Sequence, residues 1–579
     1  MNQPLTDNTT LSKTGFARWL ATVMPIIEWL PAYKAAWFWS DLIAGITLAA
    51  YAVPVAMAYA SLAGLPPQSG IYCYIFGGLV YALFASSRHL SIGPTAAISL
   101  MVASIVGPIA AGDVSLYAAF ASLTAGMVAL ISIVAWLLRL STFVNFISET
   151  ILVGFKAGAA ISIASTQLPK LFGIQVVGEN SIERIVILVR HVAETNLTLF
   201  AIGISAIVFL VVGERLFPGR PVALIVVAIF IIAVSALDPT DYNLKVVGTL
   251  PQGLPKPGLS KVGAGHVRQL LELAFACFLL SYIESISAAR TFARKHNYSV
   301  DPRQELLGLG IANLAAAFGH GYPVAGGLSQ SAVNEKAGAR TPLALMVASL
   351  MLAVVVLFMT GLLRNLPEVV LSAIVLVAVS GFVKIADFRR LWQISRVEFY
   401  VAMFAFVGVL LLGILQGVMI SAVASLLLLL RLMANPHVAT LGRIPGTQRF
   451  SDLARHPDNE LIPGVYLFRV EAAMLYFNVE NIDKTVIERV QASPTPVKLV
   501  VCDLSTSPYI DVAGAQMLAQ LQEKLSAEGI RFRIAEAHAA VRDILRATIE
   551  YKRLGGVNRF TSISDIVNEF QCRQIPPDI

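Results

Sequence analysis

Long apolar runs fill the first three quarters of the chain, separated by short clusters of Gly, Pro and charged residues. Several runs reach the roughly 20 residues that a membrane-spanning helix needs. Spans are expected near 40–62, 70–87, 94–109, 114–138, 150–167, 197–216 and 221–237. A second set is expected near 270–291, 305–319, 328–338, 343–363, 367–384, 398–413 and 415–433. The third and tenth of these are short and open on Gly, Pro or Ser, at matching places in the two sets. Interrupted segments at corresponding positions of two halves point to a binding site at membrane depth. The stretch over 16–30 is mildly amphipathic and is expected on the membrane surface. Beyond Arg431 the pattern changes. Strand patterns at 465–470 and 497–503 alternate with helical patterns at 479–492 and 514–528, which predicts a small α/β domain. Four parts result: a cytoplasmic N-terminal segment (1–36), a transmembrane domain (37–435), a linker (436–462) and an α/β domain (463–579).

Composition sharpens this reading. With 56% hydrophobic and 14% charged residues and a mean hydropathy of +0.71, the chain departs from soluble proteins, which are about 45–50% apolar and about 25% charged. It reads as a polytopic integral membrane protein in contact with lipid. The net charge of +7 needs no nucleic-acid partner, because basic residues gather in cytoplasmic loops. With the N-terminus inside, such loops collect Arg88, Arg139, Arg290, Arg294, Lys295, Lys336, Arg340, Arg389 and Arg390. Loops near 64–69 and 110–113 carry no Lys or Arg, whereas longer outside segments near 170–190 and 245–268 do. An even number of spans places both termini in the cytoplasm of a cell whose plasma (inner) membrane holds the protein. The N-terminus is polar through Phe16, so the first long apolar run reads as a span and not as a cleavable signal. The four cysteines (Cys73, Cys277, Cys502 and Cys572) are scattered, without disulfide or metal spacing. Neither a metal nor another cofactor is expected. No nucleophile–base arrangement is present, which argues against an enzyme.

Three places carry candidate chemistry. The stretch 322–345, YPVAGGLSQSAVNEKAGARTPLAL, is rich in Gly, Ser, Asn and Gln although apolar segments flank it. Unpaired polar groups in hydrocarbon cost several kcal/mol each, so these residues are expected to line something polar. In 88–100, RHLSIGPTAAISL, Gly93-Pro94 breaks the chain before a helix that starts at Thr95-Ala96-Ala97. Helix starts leave orphan N–H groups, and the dipole behind them favours anions. The stretch 328–331 offers a second such start. Third, Glu284 lies within the eighth span, where a carboxylate is costly and is paired, cavity-facing or protonated. It can load and release a proton during transport, or pair with Arg290 or with Lys156 from another helix. Lys156 and Glu149 read as interfacial, the lysine snorkelling. Pro54 interrupts an apolar run in which Ala56, Ala58 and Ala60 permit close helix packing.

The runs PVAMAYASLAGLPPQSGIY, SRHLSIGPTAAISL and SQSAVNEKAGARTPL together resemble the SulP/SLC26 family of anion transporters. The later run VVCDLSTSPYIDVAGAQML is similar to the core of a STAS domain. The resemblance covers nearly the whole chain. It implies fourteen segments in two inverted repeats of seven, core and gate domains, an elevator-like movement, a cytoplasmic STAS domain over 463–579 and a homodimer. It also implies an anion site between the half-helices of segments three and ten. On this chain that maps to Thr95, Ala96, Leu328 and Ser329, with Val55 and Tyr59 from the first segment. Gln330 completes the set, and Glu284 matches an acidic position that proton-coupled members use. Two departures stand out. Many relatives carry arginine where this chain has Gln330, so a fixed positive charge is missing there. The STAS loop reads Asp511-Val512-Ala513-Gly514, which lacks the serine that is phosphorylated in bacterial regulatory relatives. Ser505, Thr506 and Ser507 remain as generic hydroxyls nearby.

These observations together lead to a secondary active transporter of a small inorganic anion, sulfate first, driven by proton symport. Cotransported protons compensate the charge of an anion moved against a negative interior, about 2.3 kcal/mol per charge per 100 mV. The alternatives are sodium-coupled bicarbonate transport, proton-coupled dicarboxylate transport, a passive anion channel, or a sensor. A regulatory protein partner at the STAS domain is a further expectation.

Overall fold

The computed structural model describes residues 23–141, 149–176, 178, 180–217, 220–236, 244–258, 266–547 and 558–573. Residues 16–22 of the amphipathic stretch over 16–30 lie outside them; within them it holds one helical turn, Ile26–Trp29. The chain divides into two compact units, one up to Ser425 and one from Leu426 onward.

The first unit is helical. Its helices are α1 (Phe38–Leu62), α2 (Gln68–Phe84), α3 (Ala96–Ala110), α4 (Val114–Leu137), α5 (Glu149–Phe172), α6 (Leu197–Leu216) and α7 (Val222–Ala236). After them come α8 (Val267–Lys295), α9 (Pro302–Phe318), α10 (Leu328–Lys336), α11 (Leu343–Leu363) and α12 (Glu368–Ser380). The series ends with α13 (Ile385–Ile394), α14 (Arg396–Leu412) and α15 (Ile414–Ala434), whose last residues from Leu426 belong to the second unit. Among the described residues, eight helices are long and apolar enough to cross a membrane, and three shorter ones are also apolar. Their outward faces carry large apolar side chains such as Leu197, Ile232 and Phe358, as a lipid-facing surface requires. Helix α1 runs unbroken through Pro54.

Small residues set how closely these helices approach. A Cβ on Gly154 of α5 would lie 1.8 Å from the Ala402 carbonyl of α14, and one on Gly70 of α2 would lie 2.0 Å from the Ala56 carbonyl of α1. Lipid supplies no hydrophobic drive for helices to associate, so close backbone packing takes its place. The pairs α4–α9, α1–α11 and α5–α14 make the most extensive contacts.

Two very short strands interrupt this helical unit. β1 (Ile92–Gly93) precedes α3, and β2 (Ala325–Gly326) precedes α10. They pair antiparallel, Ile92 opposite Gly326 and Gly93 opposite Ala325.

The second unit holds a five-stranded sheet of β3 (Val438–Arg443), β4 (Phe450–Asp452), β5 (Val465–Val470), β6 (Leu499–Asp503) and β7 (Arg531–Ala535). The spatial order is β4-β3-β5-β6-β7, with β5, β6 and β7 parallel and β3 antiparallel to β5. The stretch read from sequence as a linker over 436–462 thus contributes two strands, whose irregular spacing hides them from a period-2 search. Helices α16 (Val479–Gln491), α17 (Val512–Ala527), α18 (Ala539–Ala547) and α19 (Ile563–Cys572) accompany the sheet. Asp511 shapes the loop before α17: one carboxylate oxygen accepts from the Gly514 N–H at 2.8 Å, the other from the Tyr476 N–H at 2.8 Å.

Candidate functional site

The antiparallel pairing of β1 and β2 fixes the geometry. The chain leaves the two strands in opposite directions, so α3 and α10 run away from the pair with their N-termini facing one another. Gly93 is required at this crossing, because a Cβ there would lie 2.4 Å from the Tyr74 ring. The buried backbone around the breaks cannot use helical hydrogen bonds, and side chains take over. The Ser91 N–H donates to Ser331 Oγ at 2.9 Å, the Gly326 N–H to Ser285 Oγ at 2.7 Å, and the Val324 N–H to Asn313 Oδ1 at 2.9 Å. Asn334 Nδ2 donates to the His89 carbonyl at 3.1 Å. The Ser and Asn residues that looked anomalous in an apolar context are therefore largely scaffolding.

Both helix starts are uncapped by side chains. Thr95 stands at the N-cap of α3 in extended conformation, and Gly327 at the N-cap of α10; neither supplies a capping bond. Gln330 reaches across the crossing, its Nε2 donating to the Pro94 carbonyl at 2.7 Å. Its Oε1 and the Thr95 Oγ1 are buried without a hydrogen-bond partner. The Thr95 hydroxyl lies near enough to Glu284 to interact with its carboxyl but lacks the geometry of a hydrogen bond.

A cavity of about 460 Å³ opens beside these helix starts, and Tyr59, Thr95, Ala96, Glu284, Leu328, Ser329 and Gln330 all line it. Seven of the eight residues singled out from sequence therefore meet in one place. Val55 is buried on α1, one turn before Tyr59, and is not among the lining residues. Lys156 is a correction: read as an interfacial, snorkelling residue, it lines the cavity from α5. No ion pair within 4.0 Å joins Lys156 to Glu284 among the described residues, so the two charges share the cavity without neutralising each other by contact. Lys384 and Asp387, also in the lining, were not singled out from sequence, since a charge just past an apolar run carries no local signal of a cavity. The one available signal for Lys156 was its place within an apolar run, the same signal that singled out Glu284.

The formal charges of the lining cancel, two lysines against two carboxylates. What remains is a bias from two converging sets of free backbone N–H groups and their dipoles, suited to an anion. The lining joins residues of α1, α3, α8 and α10 to residues of α5 and α12, Lys156 and Ala378 among them.

The sulfate permease family model matches residues 38–405, and the STAS domain model matches 456–563. The chain belongs to the sulfate permease family. It is an integral membrane anion transporter and not an enzyme. Probable sulfate transporter Rv1739c of Mycobacterium tuberculosis is 33% identical over 543 residues, 93% of this chain and 97% of that protein. Sulfate transporter 4.1, chloroplastic, of Arabidopsis thaliana is 30% identical over 544 residues, 90% of this chain and 79% of that one. In fold, the chain is similar to the murine Solute Carrier 26 family member A9 anion transporter in its inward-facing state. The TM-score is 0.88 at 23% identity, covering 98% and 97% of the two chains. The transmembrane domain of the cyanobacterial bicarbonate transporter BicA matches 68% of this chain and 98% of its own, with TM-score 0.58 at 21% identity.

Proposed function

We propose that this family member is a secondary active transporter of sulfate, driven by proton symport, with the anion held between the starts of α3 and α10. The observation that carries this reading is the pair of uncapped, facing helix N-termini at which Thr95 Oγ1 and Gln330 Oε1 are left without partners. Backbone N–H groups of Ala96, Leu328 and Ser329, with the Thr95 hydroxyl and the Gln330 side chain, are the ligands. Tyr59 closes one wall and Val55 supports it from behind. Relatives named as sulfate transporters favour sulfate as cargo.

Inward movement of a dianion against a negative interior requires compensating charge. Each 100 mV opposes each negative charge by about 2.3 kcal/mol. Glu284, in the same cavity and without an ion pair to Lys156, is the group we assign to carry the coupled proton. The fourteen-segment inverted repeat supplies the movement. The group bearing α1, α3, α8 and α10 carries the site past the group bearing α5 and α12, in an elevator-like exchange of access. A homodimer in a bacterial plasma membrane, with both termini and the STAS domain cytoplasmic, completes the reading. A regulatory protein at the STAS domain is part of it.

The test is uptake of radiolabelled sulfate into proteoliposomes under imposed proton and sodium gradients, with bicarbonate, chloride, nitrate and fumarate as competitors. An inward proton gradient accelerates uptake, and Glu284→Gln removes that acceleration. If Glu284→Gln leaves pH-driven uptake unchanged, the coupling assignment is wrong; uptake that follows sodium and is competed by bicarbonate replaces the sulfate reading.

A further inference from the structure

Helix α13 stands apart from the other helices of the first unit. It is short, no residue of it is buried, and apolar and basic side chains share its surface. Ile385 is 78% exposed and Trp392 is 38% exposed. Residues 384–396 contain Lys384, Arg389, Arg390 and Arg396 against a single acid, Asp387. None of these four bases forms an ion pair within 4.0 Å among the described residues. Four bases without an ion pair thus lie close together on one short segment, with Arg396 alone stacked on a ring.

Covalent connection sets the neighbours of this helix. It follows α12 and precedes α14, both apolar, and lies where the chain turns back between them. Ile385, Arg389 and Trp392 fall at i, i+4 and i+7 and share one stripe of the helix. The Arg396 guanidinium lies 3.6 Å from the centroid of the Trp392 ring. That contact holds a cation beside an aromatic side chain of the kind enriched at head-group level. A surface helix with apolar side chains for the acyl boundary and unpaired arginines beside them is the composition that binds anionic bilayers. Arginine in particular matches the bidentate geometry of a phosphate.

We infer that α13 is a binding surface for the head groups of anionic phospholipids, with Arg389, Arg390 and Arg396 contacting phosphate and Ile385 and Trp392 seated in the acyl boundary. The surface adjoins the transport cavity, since Lys384 and Asp387 at its beginning line that cavity. The occupant is lipid and not a soluble anion, because the apolar side chains Ile385 and Trp392 lie within the same stripe as Arg389.

The full chain is reconstituted in phosphatidylcholine vesicles and in vesicles of equal parts phosphatidylcholine and phosphatidylglycerol, each with one lipid brominated in turn. Tryptophan quenching is read as the difference between the wild type and Trp392→Phe, which isolates Trp392. Brominated phosphatidylglycerol quenches Trp392 more than brominated phosphatidylcholine. In Arg389→Gln/Arg390→Gln/Arg396→Gln the preference falls by about five-fold per arginine, whereas the triple lysine variant retains most of it. Equal quenching by the two lipids in the wild type overturns the inference, as does an unchanged preference in the glutamine variant. If the glutamine variant does not insert, a salt series on the wild type decides: a preference lost at high salt supports the inference, and one indifferent to salt defeats it. The readout is independent of sulfate transport, so it stands or falls apart from the functional proposal.

Discussion

Gln330 Nε2 lies 2.7 Å from the Pro94 carbonyl, tying the first turn of α10 to the break that precedes α3. One side chain thereby joins the two half-helices whose starts face the cavity. Its other end, Oε1, is unpartnered, so the bond to Pro94 orients an amide that also borders the cavity.

Gln330→Ala removes this tie. The net worth of such a hydrogen bond is about 0.5–1.5 kcal/mol, so the KM for sulfate is expected to rise by roughly three- to ten-fold, with a smaller change in maximal rate. Concentration-dependent uptake in proteoliposomes measures it.

Lys156 supplies a positive charge that no ion pair within 4.0 Å offsets among the described residues. Lys156→Gln is expected to weaken apparent sulfate affinity and to flatten the dependence of uptake on ionic strength, because a charge that attracts the anion is gone. Initial rates across a salt series, compared with wild type, check both effects.

Gly93 is packed against the Tyr74 ring, with 2.4 Å left for a Cβ. Gly93→Ala must displace that ring in a closely packed interior, at about 1–3 kcal/mol. A lower midpoint in a thermal stability assay of the detergent-solubilised protein is expected. Partial recovery should follow in Gly93→Ala/Tyr74→Leu, where the ring is absent.

In the second unit, Arg469 Nε lies 2.6 Å from Oδ2 of Asp503, whose side chain is 1% exposed. Asp503 Oδ1 also accepts from the Ser505 N–H at 2.9 Å. Asp503→Ala leaves a half-buried guanidinium uncompensated and is expected to destabilise this unit by about 3 kcal/mol. Hydrogen–deuterium exchange over 465–470 and 499–503 reads the loss. Arg469→Met/Asp503→Leu, which removes both charges, is expected to recover most of it.

Asp452 gives a pH dependence. Partial burial pushes its carboxyl up, but the Ala454 N–H and His437 outweigh that and hold it below the usual carboxylate range. A carboxylate lowered in the folded state contributes stability above its unfolded value and loses it as pH falls through the folded value. Exchange protection of the β3–β4 pair is therefore expected to fall below about pH 4, and Asp452→Asn should remove that dependence.

Legibility from sequence followed the physics of each signal. Apolar runs fix membrane helices because every backbone polar group in hydrocarbon must be satisfied within the helix. The runs at 197–216 and 343–363 coincide with helices that the structure contains. Gly93-Pro94 and 326–331 were visible for the opposite reason: polar and helix-breaking residues do not persist at membrane depth without something polar to face. Lys156 was misread because a lone lysine in an apolar run looks the same whether it snorkels or borders a cavity. Strand β3 went unnoticed for want of period-2 alternation, since its burial comes from the strand it pairs with and the helices around it.

By itself, then, the sequence determined the long apolar helices, the two breaks and the change of composition after Arg431. These follow from local hydropathy and backbone chemistry. Tertiary structure decided that the two breaks, more than two hundred residues apart, pair as antiparallel strands and set two helix N-termini against one another. It also placed Glu284 and Lys156, from different helices, around the same cavity. Such juxtapositions depend on helix packing between distant segments, and a linear pattern carries no record of which distant face each one meets.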